Sequence, residues 1–115
     1  MKPEQRMIEN TTDLIEMIEG GHFPSHDQIS SNYKYMSLNY VDMMMAFNGV
    51  LNSAWKFQED MYPDTFLEVQ KEPYQSWEFR LMEPDITDKV FMCCHENPAR
   101  AYLLATLRME QYLEG

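Results

Sequence analysis

Cysteine, glycine and basic residues are all scarce in this 115-residue chain, and each shortage closes off a class of structure or partner. The two cysteines, Cys93 and Cys94, are adjacent. Sequence neighbours rarely bridge, so they form no disulfide framework, and a reducing compartment fits. Glycine occurs four times. Neither a P-loop nor a G-x-G-x-x-G turn is present, and there is no C-x-x-C pair, which removes the common nucleotide and zinc signatures. Nine Lys and Arg stand against nineteen Asp and Glu, a net charge of −10. That charge repels phosphate backbones and anionic membrane surfaces, and makes basic protein surfaces the natural partners. Apolar runs stop well short of the ~20 residues a membrane span needs, and the polar start KPEQR lacks the apolar core of a signal peptide. The expectation is a cytoplasmic protein that contacts neither nucleic acid nor membrane directly.

What is present suits one domain, since the length allows a single core and not two comfortable ones. Eleven methionines and 13% aromatics give a soft apolar inventory, as in an irregular core or an interaction surface. The charges are scattered without long runs of one sign, which reads as a solvated folded surface.

Over residues 4–19, Met7, Leu14, Ile15 and Ile18 fall at helical spacing while Glu9, Asp13 and Glu16 line a different face. Gly20-Gly21 then stops the helix. Residues 22–34 hold Pro24, three serines, Asp27 and Asn32, which favour a loop with at most a short turn. Ser37 or Asn39 can cap a second helix running to about residue 59, with Tyr40, Met43, Phe47, Val50, Leu51, Ala54 and Phe57 as its stripe. Its other side carries Val41, Met44, Met45 and Trp55 beside Asn48 and Asn52. That side is either buried under the loop or first helix, or it is an interface.

After Pro63-Asp64 the period changes to two. Leu67 and Val69 alternate with Glu68 and Gln70 as a half-buried strand requires, and Trp77, Phe79 and Leu81 alternate with Glu78 and Arg80. Pro73 and Ser76 supply the turn of a hairpin. Residues 89–94, KVFMCC, predict a third strand, which feeds a helix from Asn97-Pro98 to about residue 113. Asn97 can cap the first free amide, and Pro98 suits the first helical position. The order α-α-β-β-β-α, without repeats or linkers, predicts a single α+β domain over 1–115 with helices packed on a small antiparallel sheet.

Candidate chemistry is thin. Cys93 and His95 share a strand face, but a nucleophilic pair there needs an orienting group and a dry pocket, and a buried strand cysteine is the plainer reading. His22 and His26 would suit a metal on a helix, which Pro24 disfavours. Carboxylate pairs such as Glu59-Asp60 arise by chance among nineteen acids. No catalytic residue, metal or cofactor is assigned.

The segments YMSLNYVDMMMAF, WEFRL and ENPARAYLLATL resemble the phage ABA-sandwich domain, a family of small bacteriophage accessory proteins, over roughly residues 35–109. The chain departs from it at Met43, Met44 and Met45, where small residues are expected, and at Glu96-Asn97 before the proline. The resemblance implies an α/β sandwich from a mobile-element genome, with no enzymatic activity that carries over residue by residue. It also implies a role in binding, and inhibiting, a host protein with a basic surface, such as nucleic-acid-handling defence machinery. Glu9, Asp13 and Glu16 would supply charge complementarity and Val41, Met45 and Trp55 apolar contact. Two alternatives come from other classes. One is a module holding an anionic nucleotide through Arg80, Arg100 or Lys89 and the last helix's N-terminus. The other is a protein that self-associates, as a homodimer or a larger assembly, through Val41, Met45 and Trp55.

Overall fold

The computed structural model describes residues 6–31, 33–71, 76–85 and 87–114, and only the backbone of 34–38. Glu4, Asn32, Pro73 and the Ser37 side chain, invoked above, lie outside the described residues. The elements are helices α1 (Thr11–Glu19), α2 (Lys34–Phe47) and α3 (Leu51–Met61), strands β1 (Phe66–Lys71), β2 (Trp77–Met82) and β3 (Val90–His95), and helix α4 (Pro98–Glu114). A 3-10 turn at His26–Gln28 interrupts the loop after α1. The class is α+β, with one helix more than expected. Among the described residues no helix is long and apolar enough to cross a membrane.

The extra helix arises because the predicted second helix breaks in its middle. Asn48 ends α2, Gly49 takes φ +104°, and the amides of Gly49 and Val50 return to the carbonyls of Ala46 and Met45 at 3.0 and 2.9 Å. That pattern is a Schellman cap, which needs a left-handed residue where glycine bears no Cβ penalty. The apolar stripe continues across the break, so periodicity alone hid it. Asn39, offered as a cap, instead lies within α2, buried, its amide 3.6 Å from Met61 Sδ.

The first helix is shorter than expected. Asn10 is extended at φ −155° and its side chain accepts the Asp13 amide at 2.9 Å, so helical backbone begins at Thr11. Upstream, Ile8 forms a parallel bridge with Ile29, and Met7 is exposed. The stop at Gly20-Gly21 forms as predicted: Gly21, at φ +88°, and His22 donate to the carbonyls of Ile18 and Met17.

At the other end of the chain, Asn97 Oδ1 accepts the amides of Ala99 and Arg100 at 3.0 and 3.3 Å, and Pro98 opens α4. This helix is the centre of the core. It packs on β2 and β3 with one side and on α1, α2 and α3 with the others. Tyr102, Leu103, Leu104, Leu107 and Met109 are all buried. Most polar groups inside the packing find partners, as burial demands; Arg108 Nε is buried without one among the described residues. Burial pushes the Tyr102 phenol up to about 12, so it stays protonated and donates to Gln58 Oε1. Thr106 donates to the Tyr102 carbonyl at 3.0 Å, and Tyr62 donates to Glu110 Oε2. Glu114 accepts both the amide and the hydroxyl of Thr11, whose oxygen in turn accepts from Tyr33.

The sheet runs β1-β2-β3, antiparallel throughout. Phe79, Leu81, Phe91 and Cys93 point to α4 and are buried, with Phe79 stacked on Tyr102 at 4.9 Å between centroids. In contrast to the half-buried strand expected, β1 is exposed at all six positions. Its alternation is real, but α4 covers only β2 and β3, so Leu67 and Val69 extend past the helix.

Gly49→Ala is expected to destabilise the fold by about 1–3 kcal/mol in chemical denaturation. The added methyl would meet Asn97 Nδ2 at 3.2 Å as well as the strained backbone, whereas at Gly21 it meets nothing within 4 Å. Gly21→Ala should therefore cost less. Glu110 carries a pH signature: burial raises its carboxyl above the ordinary value, opposed by the Tyr62 hydrogen bond. The folded chain then holds this proton more tightly than the unfolded chain. Its contribution favours folding at low pH and is lost as pH rises from the ordinary carboxylate value through the folded one. Glu110→Gln should compare better with the wild type at neutral pH than near about pH 4, read from denaturation midpoints.

Candidate protein-binding surface

The six residues expected to meet a partner lie on three helices and the segment before α1. Asp13 and Glu16 on α1 share Arg6, whose Nη2 lies 3.0 Å from Asp13 Oδ1 and 2.7 Å from Glu16 Oε2. The other Asp13 oxygen accepts the Glu9 amide at 3.1 Å, and Glu9 itself precedes the helix. The expected acidic helix face is thus a clamp closed by an arginine, and the acids hold it in place. Val41, Met45 and Trp55 are exposed, at 60, 39 and 49%. Trp55 is not buried under the loop or α1; the loop's Phe23 and His26 pack on Tyr40 of α2 instead.

No hydrogen bond joins Cys93 to His95. Cys93 is buried and burial pushes its thiol up, which disfavours the thiolate a nucleophile needs. His95 Nδ1 accepts the Asn97 amide at 2.9 Å, which leaves its proton on Nε2. Burial, then Arg100, lowers its pKa. Its observed work is to shape the turn into α4. Among the described residues no three His, Cys, Asp or Glu side chains come together as metal ligands.

The three cations of the nucleotide-binding reading are engaged in separate places. Arg100 reaches the Phe47 carbonyl with Nε at 3.1 Å and Nη2 at 2.8 Å and lies 3.9 Å above the Phe47 ring, so it satisfies the end of α2. Arg80 Nε pairs with Glu78 Oε2 at 3.1 Å. The Lys89 ammonium sits 5.1 Å from the Tyr112 ring.

A surface not anticipated from the sequence lies on the sheet face opposite α4. Strand register sets three rows across it: Phe66, Met82 and Val90; Glu68, Arg80 and Met92; Gln70, Glu78 and Cys94. The first row is apolar and open, with Phe66 62%, Met82 37% and Val90 53% exposed, and Met92 adds 42%. The last row is polar, and Glu78 there is buried beside Arg80 with Cys94 Sγ 4.0 Å from its carboxylate. A groove of about 210 Å³ lies along Phe66, Glu68, Arg80, Met82 and Val90. Aromatic and methionine side chains around an arginine are the composition enriched where proteins meet.

The signal for this face was in the sequence. Met82, Val90 and Met92 occupy alternate positions that a strand with one solvated face fills with polar residues. Apolar residues at these positions marked a sheet whose solvent side is apolar along one row and polar along another. Comparisons with family models, with curated proteins and with solved structures find no match to the chain.

The thiols should separate cleanly under a maleimide or disulfide reagent. Cys94, exposed, is expected to react rapidly in the folded protein, and Cys93 only on unfolding. Equal native rates would overturn the burial assigned to Cys93.

Proposed function

We propose that this chain works by binding another protein and not by catalysis, as a phage accessory protein that occupies and inhibits a host protein. The observation that carries the reading is the open sheet face, where Phe66, Met82, Val90 and Met92 surround Arg80. A contiguous apolar patch with a polar margin is what a docking surface requires, because water leaves the apolar centre while rim charges set orientation. The net charge of −10 favours a partner rich in Lys and Arg, such as nucleic-acid-handling defence machinery. The phage and host terms come from the family resemblance; the patch and the charge support binding itself.

The test is a tagged capture from nuclease-treated bacterial host lysate, with the wild type and Val90→Asp/Met92→Asp in parallel. Both positions are exposed, so circular dichroism should be unchanged. A basic protein held by the wild type is expected to lose affinity by about thirtyfold or more, the scale of a central interface residue. Retention by the double variant together with loss in Met45→Glu would move the contact to the helices. Capture that survives both variants would overturn the reading.

A further inference from the structure

We propose that β1 is the pairing edge of a homodimer, in which two copies join β1 to β1 antiparallel about a two-fold axis and continue the sheet. Two core rows run out into solvent at this strand. Phe91 and Leu81, then Cys93 and Phe79, are buried under α4, yet the next residues in the same rows, Leu67 and Val69, are 38 and 47% exposed. A second copy lays an equivalent strand beside them and carries both rows on. The opposite edge differs, because the core-side residues of β3 lie beneath α4.

Two of the usual protections of a free edge, a proline and a bulge, are missing from β1, and its mid-strand charge, Glu68, lies on the face away from α4. The strand has no proline, and its pairing with β2 runs one to one from Phe66 to Lys71 without a bulge. Its core-side charge, Lys71, stands at the strand end with the ammonium 5.6 Å from the Trp77 ring. Backbone groups along the outer edge are a ready template for another strand.

Self-complementarity selects the second copy as occupant and fixes the register. A two-fold axis perpendicular to the sheet preserves its faces, so odd positions meet odd and even meet even. Centring on Glu68 opposes two carboxylates, which is unfavourable, and centring on Gln70 leaves only the last half of the strand paired. Centring on Leu67 leaves only the first half of the strand paired. Centring on Val69 opposes Val69 to its own copy, Glu68 to Gln70 and Leu67 to the aliphatic stem of Lys71, with no like charges opposed.

Sedimentation in high salt, which screens the −10 charge that each copy brings, should show the mass double from 13.7 kDa with rising concentration. Val69→Lys sets two ammonium groups on the axis and should leave a monomer of unchanged circular dichroism. In a Cys94→Ser background, Val69→Cys should give a disulfide-linked dimer on mild oxidation, since antiparallel partners lie within bridging distance, while Leu67→Cys should not. A wild type that stays at 13.7 kDa at every attainable concentration overturns the proposal. So does a dimer that survives Val69→Lys, or Leu67→Cys cross-linking as readily as Val69→Cys. Partner capture uses Val90 and Met92, so the two readings fail separately.

Discussion

Burial of α4 is the constraint that the other elements answer to. Between Ala99 and Glu110 only Arg100 and Arg108 reach solvent, so the helix must be covered nearly all round. Small residues at Ala99, Ala101 and Ala105 allow neighbours to approach closely, while Leu103, Leu104 and Leu107 fill the space between them. Polar atoms enclosed with it have partners from two segments: Gln58 of α3 for Tyr102 and Tyr62 at the end of α3 for Glu110, and the Phe47 carbonyl at the end of α2 for Arg100. Each bond offsets desolvation that would otherwise oppose the packing. The result is a helix whose position is specified by polar contacts as much as by apolar volume.

Covering α4 consumes β2 and β3 and leaves β1 over. Both interaction surfaces follow from that mismatch of width. A sheet broader than its helix exposes the core side of the third strand, and helices packed on one side only leave most of the opposite face open. Charge works alongside this geometry. Arg6 draws Asp13 and Glu16 into a local clamp, so much of the acidity of α1 is already balanced, and long-range attraction to a basic body is a property of the whole molecule.

The legible parts of the fold were those where one local signal dominates. Asn97-Pro98 marked a helix start and Gly20-Gly21 a stop, each made by hydrogen bonds within a few residues, and alternation in WEFRL marked a strand that pairs on both edges. Where two signals competed, periodicity hid the break. Phe47, Val50, Leu51 and Ala54 keep helical spacing across Asn48-Gly49, yet the left-handed glycine turns the chain there. The start of α1 was similarly obscured, because Met7 keeps the helical period although Asn10 caps the helix after it. The interaction surface was hidden for a different reason. Which side of a strand a helix covers, and how far across the sheet it reaches, depends on packing between distant segments, and the alternation of Leu67 and Val69 is the same either way.

The bond between Thr11 and Glu114 joins residues 103 positions apart, and the helix that supplies one end of it comes after every other described element in chain order. Until α4 has been made, the apolar faces of α1, α3 and the sheet have nothing to close on, so the segments before it stay without a shared core. Folding of this domain therefore waits on α4, whose contact with α1 closes most of the chain into one loop. A chain interrupted anywhere before α4 is not a smaller version of the protein but a set of exposed apolar segments, suited to chaperones and proteases.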